Sequence, residues 1–94
     1  MYARLVRFSF GPGKQARAQA IADNVAPLIA SQSGCAGVTV FGDEADGEYG
    51  IFVLWSSEDN ANAAAQVDRP KLDELLAGNV LGSPDARLFK VISS

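Results

Sequence analysis

Residues 49–55 read Tyr-Gly-Ile-Phe-Val-Leu-Trp, a nearly continuous apolar run with the length of one β-strand. Alternate side chains of a strand point to opposite faces of its sheet. Ile51 and Val53 therefore share one face of the sheet, and Phe52 and Leu54 share the other. A strand that is apolar on both faces predicts a sheet that is covered on both sides.

Regular elements precede and follow this strand. The predicted elements are, in order, a strand over 2–10, a helix over 14–33, strands over 38–41 and 49–55, a helix from Ser57 to Gly78 and a strand over 86–92. Pro27 and Pro70 lie inside the helical patterns, so we expect a kink or break at Pro27 and an interruption at Pro70. The order β-α-β-β-α-β is typical of the α+β ferredoxin-like fold, a four-stranded antiparallel sheet with two helices on one face.

The two predicted helices can cover only one face of this sheet. The second apolar face, which carries Phe52 and Leu54, would then be exposed in a single chain. Soluble monomers rarely expose a large contiguous apolar patch. We therefore predict a homodimer in which the open sheet faces of two chains pack together.

Composition excludes several classes of function. The 94 residues include eight Lys/Arg and eleven Asp/Glu, which predicts one acidic domain over 1–94 without the basic patch of a nucleic-acid binder. No apolar run is long enough to span a membrane, and the N-terminus does not resemble a signal peptide, so a cytoplasmic location is expected. Cys35 is the single cysteine and histidine is absent, which argues against disulfides, metal sites and haem ligation through imidazole.

Short stretches spread along nearly the whole chain resemble the antibiotic-biosynthesis-monooxygenase-like group of dimeric α/β-barrel proteins. They are Pro12-Gly13-Lys14, Gly34-Cys35-Ala36-Gly37-Val38, Trp55-Ser56-Ser57-Glu58-Asp59, Pro70-Lys71-Leu72 and Pro84. The resemblance lies in their order and spacing. It implies a ferredoxin-like dimer and, for the oxygenases of the group, no cofactor. In such oxygenases an apolar pocket holds an electron-rich aromatic substrate, and O₂ reacts with the anion of that substrate.

The chain departs from this group at positions where relatives often carry histidine. Ala63 to Ala65 and Lys71 occupy those positions. The haem-degrading branch uses a first-strand Asn and a haem-ligating His, whereas this chain has Val6 and Arg7 there and no His, which argues against haem degradation. Two functions stay open. The first is a cofactor-independent monooxygenase, or a degenerate relative of one, that acts on a small aromatic or quinol-type compound. The second is a non-catalytic barrel that binds a small ligand or is associated with stress.

A few side chains are candidates for a site. The candidate catalytic residues are Trp55, Asn62 and Arg7, and the candidate ligand-binding residues are Phe8, Phe41, Trp55 and Asn24. Trp55 either stacks on an aromatic ligand or packs at the edge of the core. An asparagine amide offers a substrate oxygen both a donor and an acceptor, or it simply faces solvent. Arg4 and Arg7, on opposite faces of the first strand, suit a phenolate or an ion pair.

The space beneath the alanine-rich second helix separates these functions. If the protein is an enzyme, we expect an enclosed pocket there. Trp55 and aromatics such as Phe8 or Phe41 would line it, and at least one polar side chain would point into it. If the protein only binds a ligand, we expect the cavity without a polar side chain that points into it. A third possibility, an interaction module with no pocket, predicts that the side chains fill the space.

Overall fold

The computed structural model describes all 94 residues, Met1 to Ser94. Its elements are β1 (Tyr2–Ser9), α1 (Gln15–Ala30), β2 (Cys35–Asp43), β3 (Glu48–Trp55), α2 (Glu58–Leu76) and β4 (Asp85–Lys90). The strands form one antiparallel sheet in the order β2-β3-β1-β4. This arrangement confirms the predicted α+β ferredoxin-like fold.

The apolar strand that opened the sequence analysis lies inside the sheet. β3 pairs with β2 on one side and β1 on the other, and Val6 lies opposite Ile51. Ile51 is only 1% exposed and faces the helices, whereas Phe52 on the other face is 36% exposed. The two faces of β3 therefore have different environments, as the alternation predicts.

Both helices pack their apolar stripes against the same side of the sheet. The buried helical residues are Ala18, Ile21, Val25 and Ile29 of α1 and Ala61, Ala64, Leu72 and Leu76 of α2. Their spacings of three and four place each set on one helix face. The stripe of α2 begins with alanines, so this part of the helix adds little side-chain volume above the sheet.

The helices continue through their prolines, so the expected break at Pro27 and interruption at Pro70 do not occur. A proline in a helix cannot donate a hydrogen bond to the carbonyl four residues earlier, here that of Asp23 or Gln66. Asp23, Gln66 and both prolines are exposed. Water can therefore bind the freed carbonyls, and the helix loses a hydrogen bond without ending.

The helix ends differ in how they are capped. Ser57, where the second helix was predicted to begin, is the N-cap of α2, and its Oγ accepts a hydrogen bond from the Asn60 backbone N–H at 3.1 Å. α1 ends at Ala30, earlier than the predicted residue 33, because the chain turns at Ser31 and reaches a left-handed glycine at Gly34.

The β2–β3 turn is held against the end of β1. The Phe10 backbone N–H donates to the Gly47 carbonyl at 2.8 Å, and the Gly47 N–H donates to the Asp43 carbonyl at 2.7 Å. Gly47 has a φ of +74°, and a Cβ atom there would overlap the backbone of Gly11. The turn thus requires glycine at this position for both its conformation and its close approach.

The face of the sheet away from the helices carries large apolar side chains. Phe41, Phe52 and Phe89 are 48%, 36% and 40% exposed, and Leu5 and Leu54 beside them are half-buried. We call the surface formed by these five residues the open face. In β4, Leu88 packs against the core while Phe89 points to the open face. Neither helix is long and apolar enough to cross a membrane.

Candidate functional site

A small cavity lies between the helices and the covered face of the sheet. Nine of its twelve lining residues are hydrophobic, and its volume is about 40 Å³. The apolar lining comes from Val6 of β1, Ile51, Val53 and Trp55 of β3, Val25 and Ile29 of α1, and Ala61, Ala65 and Leu72 of α2. The short side chains of Ala61 and Ala65 explain the space, since larger residues at these positions of α2 would fill it.

Trp55, at the end of β3, lines this cavity and carries a buried hydrogen-bond donor that has no partner. The side chain is 2% exposed, and its indole Nε1 is buried without a hydrogen-bond partner. A buried N–H that lacks an acceptor costs free energy. A ligand that brought an oxygen to this position would recover that free energy, which gives Trp55 a use beyond packing.

The remaining lining residues are charged: Arg4 of β1 and Asp68 and Arg69 of α2. Nη2 of Arg4 donates to Oδ1 of Asn62 at 3.5 Å, a long hydrogen bond between β1 and α2. Burial lowers the pKa of Arg4, and the neighbouring Arg69 guanidinium lowers it further. Two guanidinium groups and one carboxylate thus belong to residues of the lining, which carry a net positive charge.

Asp68 is the one carboxylate at the cavity. Its Oδ1 accepts a hydrogen bond from Gln32 Nε2, just after α1, at 3.0 Å. Partial burial raises the pKa of Asp68 above its ordinary value, because the ionised form loses hydration. Nowhere in the molecule do three or more His, Cys, Asp or Glu side chains form a group that could hold a metal ion.

Sequence reasoning did not single out Asp68 or Arg69 as site residues. A signal for Asp68 was present, because it lies three residues after Ala65 and four before Leu72, on the face of α2 that packs inward. A carboxylate at a position where the helical period calls for an apolar residue is a candidate for function. The same spacing applies to Arg69, which lies four residues after Ala65 and three before Leu72.

The structure brings two of the candidate catalytic residues to this region and separates the third. Trp55 lines the cavity. Asn62 is exposed and accepts a hydrogen bond from Arg4, which is a lining residue. Arg7 is exposed on the other face of the sheet, where its β4 partner in the register is Asp85.

The candidate ligand-binding residues other than Trp55 lie away from the cavity. Phe8 is buried in an aromatic cluster, with its ring centroid 5.2 Å from that of Phe10 and 6.2 Å from that of Tyr49. Phe41 belongs to the open face. Asn24 is exposed on α1, where its amide donates to the Ala20 carbonyl at 2.9 Å.

A second, more open concavity runs between α1 and β2. This groove has a volume of about 370 Å³, and its lining includes Gln19, Asp23, Phe41 and Tyr49. The Tyr49 hydroxyl is buried without a partner, but Gln19 already donates to Asp23 at 2.9 Å and no cation lines the groove. The cavity beneath α2 is more enclosed than this groove and is lined by Trp55 and three charged residues, so it is the stronger candidate.

A known protein family matches most of this chain. The chain matches the model of a family described as antibiotic biosynthesis monooxygenase over residues 1–69, a range that includes Arg4, Trp55 and Asp68. No curated protein sequence gives a significant match.

Solved structures resemble the whole chain in fold. A protein from Bordetella bronchiseptica described as an antibiotic biosynthesis monooxygenase has a TM-score of 0.77 and 22% identity, over 98% of this chain and 97% of that one. A variant of SnoaB, a cofactor-independent oxygenase from Streptomyces nogalater, has a TM-score of 0.78 and 19% identity, over 99% and 94%. A similarly described protein from Deinococcus radiodurans has a TM-score of 0.82 and 15% identity, over 100% and 95%.

Proposed function

The chain belongs to the antibiotic biosynthesis monooxygenase family, and on that premise we propose that it is a cofactor-independent oxygenase. Its substrate is a small aromatic or quinol-type compound that binds in the cavity beneath α2. The similarity in fold to SnoaB, a cofactor-independent oxygenase, supports this class of reaction. The single cysteine fits a reducing compartment, so we propose that the protein works in the cytoplasm.

The observation that carries this proposal is Trp55, whose buried Nε1–H has no partner, in the lining of an apolar cavity that Arg4, Asp68 and Arg69 also line. Oxygenation of an activated ring carbon balances as a CH₂ group plus O₂ giving C=O plus water. The reaction requires the substrate to lose a proton first, because O₂ reacts with the electron-rich anion. Donors preorganised where negative charge develops lower the barrier to such a step.

A non-catalytic ligand-binding role is the second candidate. The observation in its favour is the cavity volume of about 40 Å³, which is much smaller than the roughly 300–1,000 Å³ typical of small-molecule sites. A ring enters only if side chains around the cavity move. A protein that binds a smaller ligand would not require that movement.

We further propose that the working form is a homodimer joined through the open face. Five apolar side chains share this surface, and three of them are phenylalanines exposed by more than a third of their area. Such a patch is stabilised when water is excluded from it. A second copy of the chain supplies a surface of the same size and character, as a two-fold interface requires.

Oxygen uptake with a panel of quinols and anthrone-like phenols, without added metal or flavin, tests the oxygenase. We expect uptake by the wild-type protein and a fall of about tenfold or more in kcat/KM for Trp55→Phe, which keeps an aromatic ring but loses the N–H donor. Tyr49→Phe is the matched control, since it removes the other buried, unpartnered donor, away from the cavity. Absence of uptake by the wild type, or equal effects of the two variants, would contradict the proposal.

A further inference from the structure

The surface of the cavity beneath α2 is almost wholly apolar. Most of it comes from aliphatic side chains and from the indole of Trp55. Arg4, Asp68 and Arg69 belong to the lining, but because almost no polar atom borders the space, they contribute mainly the carbon atoms of their side chains. The cavity is therefore suited to an apolar guest rather than to a charged or strongly polar one.

Water is a poor occupant of such a space. A buried water molecule typically makes about three hydrogen bonds to polar groups of the protein. Among the lining residues, Nε1 of Trp55 is the one buried side-chain nitrogen or oxygen without a partner. That nitrogen provides one bond at most, so a water molecule entering the cavity would lose more hydrogen bonds than it gained.

The size of the cavity limits the guest to a few atoms. Its volume of about 40 Å³ lies above the roughly 10–15 Å³ that holds one water molecule, and well below the roughly 150 Å³ of an apolar cavity that accepts benzene. A molecule of two atoms fits this range, whereas an aromatic ring requires side chains to move. In the resting structure the cavity thus selects a very small apolar molecule.

The walls of the cavity are held in place by the sheet. Ile51, Val53 and Trp55 are each at most 2% exposed, and they belong to β3, which pairs with a strand on both sides. Ala61 and Ala65 of α2 are too short to fill the space opposite them. Atoms that border an unfilled space lack dispersion contacts on one side, so a guest that restores those contacts is bound favourably.

We propose that the cavity beneath α2 is a binding site for a small apolar gas and that it holds dioxygen before an aromatic ligand enters. Dioxygen has two atoms, no charge and no dipole, which matches the size and the apolar surface of the cavity. The inference deepens the proposed function and rests on it for the identity of the gas, because that reaction consumes O₂. Binding of the gas depends on dispersion contacts alone and requires no turnover.

Xenon, an apolar single atom, tests the cavity itself. Under xenon pressure we expect saturable shifts of the methyl NMR signals of Val25, Ile29 and Ile51, because xenon in the cavity would contact these side chains. The methyl signals of Leu5 and Leu54, on the open face, are the internal comparison. Shifts at the lining residues that are absent, or no larger than those on the open face, would overturn the proposal.

Quenching of Trp55 fluorescence tests dioxygen directly. Trp55 is the single tryptophan, and O₂ quenches an excited indole on contact. Ala65→Leu places a larger apolar side chain in the cavity, so we expect it to abolish the xenon shifts at the lining and to lower the O₂ quenching constant. Ala63→Leu is the matched control, since Ala63 is exposed on the same helix and does not line the cavity. Equal O₂ quenching of the wild type and both variants would contradict the proposal.

Two further measurements keep this test decisive. Ala61→Val fills the same cavity from the preceding turn of α2 and replaces Ala65→Leu if circular dichroism shows that Ala65→Leu does not fold. Acrylamide is a larger, polar quencher that reaches the buried Trp55 only when the protein opens, so we expect it to quench the wild type and the variants equally. A parallel fall in acrylamide and O₂ quenching would show altered opening instead of a filled cavity, and would overturn the assignment.

Oxygen uptake separates this inference from the proposed function. Xenon shifts and strong O₂ quenching in a protein that consumes no oxygen with any quinol or phenol would leave the gas site standing and remove the oxygenase. Oxygen uptake by a wild-type protein whose lining residues do not respond to xenon would retain the oxygenase and remove the gas site.

Discussion

Alanine in place of Gly47 is expected to lower the free energy of unfolding by about 2–5 kcal/mol. Two effects add at this position. The left-handed backbone, with a φ of +74°, is unfavourable for a residue with a Cβ atom. That Cβ would also overlap the backbone of Gly11, so the β2–β3 turn and the end of β1 must move apart. Urea unfolding followed by circular dichroism measures the change.

Gly13→Ala is the control that separates the two effects. Gly13 has a similar φ of +78°, but a Cβ there meets nothing within 4 Å. We expect this variant to lose only about 1–2 kcal/mol, the cost of the left-handed conformation. Equal losses in the two variants would show that the contact between Gly47 and Gly11 does not constrain the fold.

Phe52→Arg is expected to convert the proposed homodimer into a monomer. Phe52 lies on an inner strand of the sheet, between Thr39 of β2 and Leu5 of β1, so it is at the middle of the open face. Burial of one phenylalanine contributes about 1.5–3 kcal/mol, and a two-fold interface contains the residue twice. Dissociation should therefore be favoured by at least about a hundredfold. Light scattering at micromolar concentration gives the mass.

Val67→Arg provides the comparison for this variant. Val67 is 51% exposed on α2, away from the open face, so the same arginine there is expected to leave the dimer intact. Circular dichroism of both variants checks that each is folded. A monomeric wild-type protein, or a dimer that survives Phe52→Arg, would contradict the assignment of the open face as the interface.

The alternation of apolar residues carried most of the information about the fold. Residues 49–55 predict an inner strand with two different apolar faces, and Ile51 and Phe52 have that difference in exposure. The effect of Pro70 was not predictable from the chain alone. It depends on whether the carbonyl of Gln66 faces water, and that depends on how α2 packs on the sheet.

Less of the site than of the fold could be predicted from the sequence. Trp55 is the single tryptophan and ends an apolar strand, so its position near a pocket could be anticipated. Arg4 and Asp68 are far apart along the chain, and periodicity describes each element separately. Their common cavity arises only when α2 crosses β1, which local patterns do not encode. The spacing of Asp68 and Arg69 from Ala65 and Leu72 within α2 was the sign that the sequence did contain.

Pro70 also affects how quickly a ligand can enter the cavity. It follows Asp68 and Arg69 directly, so the turn of α2 beside the cavity lacks the hydrogen bond that a residue-70 N–H would make. Local opening of a helix occurs most readily where the fewest bonds must break. A ring enters a cavity of about 40 Å³ only if the groups around it move, and opening of this turn would provide such a movement. We therefore expect the association rate of an aromatic ligand to follow the fluctuations of this turn rather than diffusion.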